Sequence, residues 1–241
     1  MLETALLDMR EKDLFPALNG WRAERYAIKR HFSEAPLFSM ERSATPLFGV
    51  RQFGVHINGF VQHASLGPCL FLQRRSPSKQ TWPGLLDTFV GGGLAEGTGV
   101  FETVVKEAAE EANVPEQLAR KARPAGAVSF LHQSERGLHP NTEFVFDLEL
   151  PESFQPGNND GEVSGFQLVP VAELVDIITS EVDTQRGNRP VLIVRIFAGF
   201  QGHQRARHPG LADPSRPRHC RHRARPARGG RAPAPASPQS L

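Results

Sequence analysis

Three carboxylates define the chemistry this sequence is suited to. Glu107, Glu110 and Glu111 lie within GVFETVVKEAAEEANV, residues 99–114. On a helix they stand at i, i+3 and i+4, so they project from one face within reach of one another. Like charges at that spacing repel, at a cost of roughly a few tenths of a kcal/mol per pair on an exposed helix. A hard divalent cation, Mg2+ or Mn2+, relieves that repulsion, because such ions prefer oxygen ligands. The plain alternative is a solvated acidic helix face. The stretch in front argues against it: Gly91-Gly92-Gly93-Leu94-Ala95-Glu96-Gly97-Thr98 reads as a glycine-rich turn. Such a turn lets backbone come close at the helix start, two turns before the carboxylates.

The elements around this segment must hold it. A helix is expected over about Val100 to Ala112, with Val100, Phe101, Val104, Val105, Ala108 and Ala112 as its core stripe and the acids facing away. Asn113 suits a left-handed terminator, and Pro115 follows. Upstream, Phe53, Val55, Ile57 and Phe60-Val61 approximate strand alternation, and Cys69 to Leu72 is a second apolar run ending in Arg74-Arg75. Ser76 to Gln80 is a polar loop, Pro83-Gly84 a turn, and Leu85 to Val90 a strand leading into the glycines. Downstream come a short helix over Glu116 to Ala122 and strands over Ala125 to His132 and Thr142 to Leu150, joined across Glu135-Arg136-Gly137. A loop from Pro156 to Glu162, a strand over Val163 to Val169 and a helix over Val171 to Ile178 follow. Arg189 to Phe200 closes the domain as helix or strand. Mixed strands with a few helices on their faces make an α/β or α+β sandwich.

The division expected is a small N-terminal module over 1–46, a main domain over 47–200 and a tail over 201–241. The module has apolar residues for one or two short helices, and its WRAERYAIKRHF is either a strand or an exposed helix. With 241 residues, 39% hydrophobic and 22% charged, the chain reads as globular. No apolar run approaches the roughly 18 residues of a membrane span, and the N-terminus lacks a secretory pattern. Two cysteines, Cys69 and Cys220, are too few for a disulfide framework or a cysteine zinc site, so a cytoplasmic location is expected and Cys69 reads as inert core. The net charge of +2 hides an asymmetry: residues 203–241 carry nine Arg against Asp213 alone, which leaves the rest acidic. That Arg-, Pro- and Ala-rich tail buries too little apolar surface to order itself. It reads as solvated; a nucleic-acid-binding arm is the alternative, weakened because no aromatic residue interleaves the arginines.

The turn and helix resemble the Nudix box, a signature of hydrolases that cleave a diphosphate linked to another moiety. Laid on that pattern, Gly92, Glu107, Ala108, Glu110, Glu111 and Val114 fit without a gap. Thr98 stands where the pattern has Glu, Lys106 where it has Arg, and Asn113 where it has Gly. Asn tolerates the left-handed conformation. Lys keeps the charge but loses the planar fork of Arg. Thr98 removes a carboxylate, for which Glu96 and Glu102 are the nearby substitutes. FGVHINGFV, FLQRRSPSKQTWPGLLDTFVGGG, SERGLHPNTEFVFDLELP and DGEVSGFQLVPVAEL are similar to the subfamily related to thiamine pyrophosphokinase-associated Nudix domains. The resemblance implies an α/β/α sandwich preceded by a small N-terminal domain, divalent-metal dependence, and hydrolysis of thiamine diphosphate or its damaged analogues to a monophosphate. It assigns Glu107, Glu110 and Glu111 as ligands of Mg2+ or Mn2+, one of them serving as base through a bound water. Gly92, Gly93, Arg74 and Lys79, with Arg75, fall on the substrate side, where the two Arg and the Lys read equally well as surface charge. Trp82 reads as a core residue or a stacking platform. Glu143, Asp160 and Glu162 are further candidates for a metal shell or a base. The departures at Thr98 and Lys106 leave a second expectation open, a binding module of the same fold with weakened catalysis.

Overall fold

The computed structural model describes residues 1–174, 176 and 177. The closing element expected at 189–200 and the tail from 201 lie outside the described residues. The chain opens with helix α1 (Leu2–Glu11) and a 3-10 turn at Pro16–Gly20, then β1 (Arg25–Ile28) and β2 (Phe38–Glu41). These two strands pair antiparallel from Arg25↔Glu41 to Ile28↔Phe38, so the undecided WRAERYAIKRHF is a strand over RYAI. Leu6, Leu18, Tyr26, Ile28, Met40 and Ala44 form a small core of their own. A short helix, α2 (Thr45–Phe48), leads into the main sheet.

That sheet is organised on β3 (Gln52–His63), in which every residue from Phe53 to Val61 is buried. Burial on both faces is what a central strand covered from two sides requires. Along one edge β3 runs parallel to β8 (Gly137–Glu149) from Gln52↔Asn141 to Phe60↔Glu149. Along the other edge its two halves take different partners. The first half pairs with β6 (Val90–Gly93), from Gly54↔Gly93 to Ile57↔Val90. The second pairs with β4 (Gly67–Arg75), from Phe60↔Leu70 to His63↔Gly67. β5 (Leu86–Asp87) and β9 (Val163–Pro170) pair with β4, and β7 (Arg123–Ser134) completes the far edge on β8. Among the described residues the result is a mixed seven-stranded sheet, with the helices few and on its faces, as the strand pattern predicts.

Helix α3 (Val100–Ala112) covers one face, where Val104, Ala108 and Ala112 pack on Val55, Ile57 and Val90; α4 (Glu116–Ala119) follows it. On the opposite face Phe60, Leu70, Leu72, Leu86 and Val169 meet Leu174 of the helical residues after β9. α3 begins and ends as its sequence dictates. The Gly99 N–H donates to Glu102 at 2.9 Å, and Asn113 takes the left-handed conformation at φ +52°.

Two expectations are corrected. Gly91–Gly93 is not a turn but strand β6, and the turn lies beyond it, where the Thr98 hydroxyl donates to Ala95 O at 2.7 Å. The acids of α3 do not all face away either: Glu111 is only 2% exposed, while Phe101, expected in the core, is 36% exposed. The small Ala108 and Ala112 beside Glu111 let the helix sit close enough to the sheet to enclose a carboxylate.

In the β7–β8 hairpin His132 and His139 stand directly opposite, their rings stacked at 4.3 Å and 9°. Burial, then His132 and Arg136, push His139 down to about 4, and its Nε2 lies 2.8 Å from the Ser134 hydroxyl. The unfolded chain, with an ordinary histidine value near 6.5, therefore binds the proton more readily than the fold does. Stability should be intact above that value and decline as pH falls from about 6.5 towards 4. Urea denaturation at stepped pH should show the decline, and His139→Gln should flatten it by on the order of 1 kcal/mol after solvent screening. An unchanged pH slope in the variant would contradict this assignment.

Candidate active site

Helix α3 and strand β6 bring the predicted acids together at one sheet edge, each in a different environment. Glu111 is enclosed, and its Oε2 accepts from Gly91 N at 2.9 Å and from Gln73 Nε2 at 3.2 Å. Burial pushes its carboxyl up to about 8; the Gly91 N–H and Lys79 oppose the rise, and Glu107 and Asp87 add to it. Glu107 is also raised, first by burial and against the pull of Lys106. Its side chain lies so close to Gly92 that a Cβ there would fall on its carboxyl, so any larger residue must displace Glu107. Glu110 is the open member, with a side chain 46% exposed. Lys106 Nζ reaches Glu110 at 2.8 Å and Glu107 at 3.2 Å, tying the two together. Burial disfavours that ammonium, but the two carboxylates outweigh it and hold its pKa up.

Among the described residues no three His, Cys, Asp or Glu side chains converge as a ready-made metal cage. The donor set nevertheless fits a hard dication. Glu107 and Glu111 are carboxylates that burial pushes towards protonation, and a bound dication would hold them ionised. Beside Glu111 the Gln73 Oε1 atom is buried without a hydrogen-bond partner, as an oxygen meeting an ion or its water would be.

The other predicted residues separate. Gly93 packs against Tyr26, whose hydroxyl occupies the space a Cβ would need. Lys79 lies at the site: its ammonium is paired with the Glu162 carboxylate, and its field reaches Glu111. Arg74 turns the other way and donates to Gly84 O at 2.8 Å. Arg75 bridges Asp87 at 3.1 Å and Thr81 O at 3.0 Å. Glu96 is engaged by Arg25 at 3.5 Å and Glu102 by the helix start, so neither stands in for the carboxylate missing at Thr98. Glu143 is buried on the sheet face away from α3, 4.0 Å from His56 Nε2. Asp160 shapes the loop by accepting from Glu162 N at 2.8 Å. Trp82 is half-buried at φ +54°, its ring 5.6 Å from that of His132.

Sequence reasoning missed Gln73, Asp87 and the N-terminal residues Arg22, Tyr26 and Arg42. Gln73 carried a faint signal, as an amide at the end of the apolar run CLFL. Arg22 and Tyr26 carried none beyond the density of cations in WRAERYAIKR, and Arg42 carried none. Their approach to the glycines depends on tertiary folding alone.

Two variants test this arrangement. Gly92→Ala should keep the fold, because the displaced group is the end of a flexible side chain, but should push Glu107 aside and weaken Mn2+ binding by about tenfold or more in a titration. Gln73→Leu should lower unfolding stability by about 1–3 kcal/mol, because the buried Glu111 loses one of its two donors. A Gly92→Ala protein with wild-type Mn2+ affinity would break the link between glycine and carboxylate.

Comparison with known proteins converges on one family. The NUDIX domain model matches residues 54–192, and a domain of unknown function (DUF4743) matches residues 1–52. The chain is 42% identical over 168 residues to Nudix hydrolase 20, chloroplastic, of Arabidopsis thaliana, covering 70% of this chain and 44% of the relative. It is 32% identical over 142 residues to a Nudix hydrolase of Deinococcus radiodurans, covering 58% of this chain and 77% of the relative. The chain thus spans less than half the length of its plant relative. Among solved structures, DR0079 from Deinococcus radiodurans aligns with a TM-score of 0.49 and 24% identity over 65% of this chain and 90% of its own. The chain belongs to the Nudix family.

Proposed function

We propose that this Nudix family member is a divalent-metal-dependent pyrophosphohydrolase, using Mg2+ or Mn2+ to cleave a diphosphate-linked small molecule to a monophosphate. The observation that carries this reading is the buried Glu111 carboxylate, held by Gly91 N–H and Gln73 beside Glu107 and Glu110 on the same helix. Thiamine diphosphate or a damaged analogue is the substrate proposed, on the resemblance of residues 40–180 to the thiamine-associated subfamily. A reducing compartment, the cytoplasm, is the location proposed, on the buried free thiol of Cys69. The plant relatives are named chloroplastic, and among the described residues no helix is long and apolar enough to cross a membrane.

Glu107, Glu110 and Glu111 would hold the metal, which supplies charge neutralisation at the phosphoryl oxygens and a more acidic bound water. The protein's own contributions follow from the geometry. The Gly91 N–H and the Gln73 amide both donate to Glu111 Oε2 and keep it in a fixed direction, so the carboxylate needs no reorganisation at the moment of reaction. Lys79, beside Glu111, supplies a positive charge for the phosphate. Glu110, the exposed acid, is the proposed base: solvent reaches it, and Lys106 Nζ lies 2.8 Å from its carboxylate.

Glu110→Gln and Glu111→Gln should each lower kcat by about a hundredfold or more, and EDTA should abolish turnover of thiamine diphosphate assayed by monophosphate release. Turnover that persists in EDTA, or unchanged rates in both variants, would refute the proposal. The bridge from Lys106 to Glu107 and Glu110 favours one second reading, a diphosphate-binding module with weakened catalysis. It predicts that the double change Thr98→Glu with Lys106→Arg raises trace turnover by about tenfold or more. Efficient hydrolysis by the natural sequence would rule it out.

A further inference from the structure

The N-terminal residues that reach the site form a group with a common geometry. Arg22 Nη1 stands 3.9 Å from Glu162 Oε1, and the other oxygen of that carboxylate is held by Lys79 Nζ. One carboxylate is therefore gripped from two directions, by the N-terminal segment and by the loop after β4. Burial works to raise the Glu162 carboxyl, but Lys79, Arg22 and Arg42 outweigh it and hold it low. A further guanidinium approaches from the β7–β8 hairpin: the position of a Cβ on Gly20 lies 2.6 Å from Arg136 Nη2 and 2.7 Å from Gln80 Oε1. Burial and the nearness of Arg22 disfavour the charge on Arg136. Arg22 and Lys79 share the one carboxylate of Glu162, while Glu135 favours the charge on Arg136.

The segment is also built to keep these groups in place. The Glu41 carboxylate, 5% exposed, accepts from Arg22 N at 3.0 Å and from Ser43 N at 3.2 Å. It thus fixes the backbone on both sides of the strand pair that carries Arg22 and Arg42. Arg42 is in turn held by Glu24 at 2.9 Å and lies over the Tyr26 ring at 5.4 Å, with Tyr26 pressed on Gly93. Burying a carboxylate is costly unless it is hydrogen-bonded, so this anchoring is a strong constraint on where Arg22 points. Arg42 Cζ lies 3.5 Å from the Cβ position of Gly93, next to the Gly92 on which Glu107 is seated, and Lys79 and Arg42 oppose the raised pKa values of Glu111 and Glu107.

We propose that the N-terminal segment is a working wall of the site, and that Arg22 together with Lys79 binds the diphosphate group of the substrate in exchange for the Glu162 carboxylate. The proposal rests on the pyrophosphohydrolase reading for the identity of the substrate, while its geometry needs only an anion with phosphate oxygens. A guanidinium fork grips two such oxygens at once, whereas its contact with Glu162 is a single long one. A diphosphate carries more charge than the one carboxylate that Arg22 and Lys79 share. Glu162 then has a defined role: it occupies the two cations and sets a threshold that only a multiply charged anion passes. Arg22 is a specificity-determining residue supplied from outside the segment that matches the NUDIX model.

The test is calorimetric titration of the full chain with methylenediphosphonate, a diphosphate that cannot be hydrolysed, in the presence of Mg2+. Arg22→Ala should weaken binding by about tenfold or more, and Arg22→Lys by less, since it keeps the charge and loses the fork. Glu162→Gln should tighten binding several-fold, because the internal competitor is gone. A purely structural ion pair makes the opposite forecast: Arg22→Ala and Glu162→Gln would lower the urea midpoint alike and leave the affinity unmoved. Unchanged affinity in Arg22→Ala, or weakening in Glu162→Gln to match it, overturns the proposal. Because no turnover is read, the hydrolase reading can fail separately: affinities that shift as stated in a protein without Mg2+-dependent hydrolysis would support the phosphate wall alone.

Discussion

The enclosed carboxylate of Glu111 is the constraint on which the site depends. A carboxylate 2% exposed between a helix and a sheet costs several kcal/mol unless neighbours satisfy it. Gly91 N–H and the Gln73 amide do so in part. Each requirement for this contact appears in a different element. α3 presents the small Ala108 and Ala112 to the sheet beside Glu111, so the helix can approach. β4 must run far enough to place Gln73 over the same point, and β6 must end in residues without side chains. An acid in this position is poorly suited to stability alone, and the strain of its burial is consistent with a site that awaits positive charge.

The glycines of β6 are the second half of the same design. A strand normally places side chains alternately on its two faces. Here the end of β6 is bare on both, and larger groups close in: Glu107 on Gly92 from the α3 side, and Tyr26 on Gly93 from the other. The sheet edge is thin where the acids and the N-terminal cations face each other around it. Behind it the polar layer continues inward, with His56 Nδ1 2.6 Å from the Thr88 hydroxyl and Asn58 Nδ2 3.0 Å from Asp147. Those groups are satisfied within the sheet and brace the strands that carry the glycines.

Much of this could be read in advance, and the reason is local. The bounds of α3, its terminator Asn113 and the main strands are encoded by spacing and by conformational preference, which act over a few residues. The identity of the three acids was legible for the same reason, since their separation on a helix is set by its pitch. The glycines misled, because glycine is permissive: the same residues suit a turn or a strand edge under close packing, and only the partners decide. Phe101 and Glu111 were exchanged because a hydrophobic stripe predicts which side is apolar on average, not which residue the neighbouring strand will cover.

The sequence by itself determined the helix, its three carboxylates, the strands on either side and the family to which the chain belongs, because each rests on short-range spacing. Only the tertiary structure decided how those carboxylates differ. Glu111 is sealed by Gly91 and Gln73, Glu107 is seated on Gly92, and Glu110 is left to solvent and Lys106. It also decided that Arg42, from the N-terminal segment, acts on Glu107 of the acidic helix and that Arg22 stands 3.9 Å from Glu162. Contacts between segments so distant in sequence follow from how sheet faces and edges pack, and no periodicity along the chain records them.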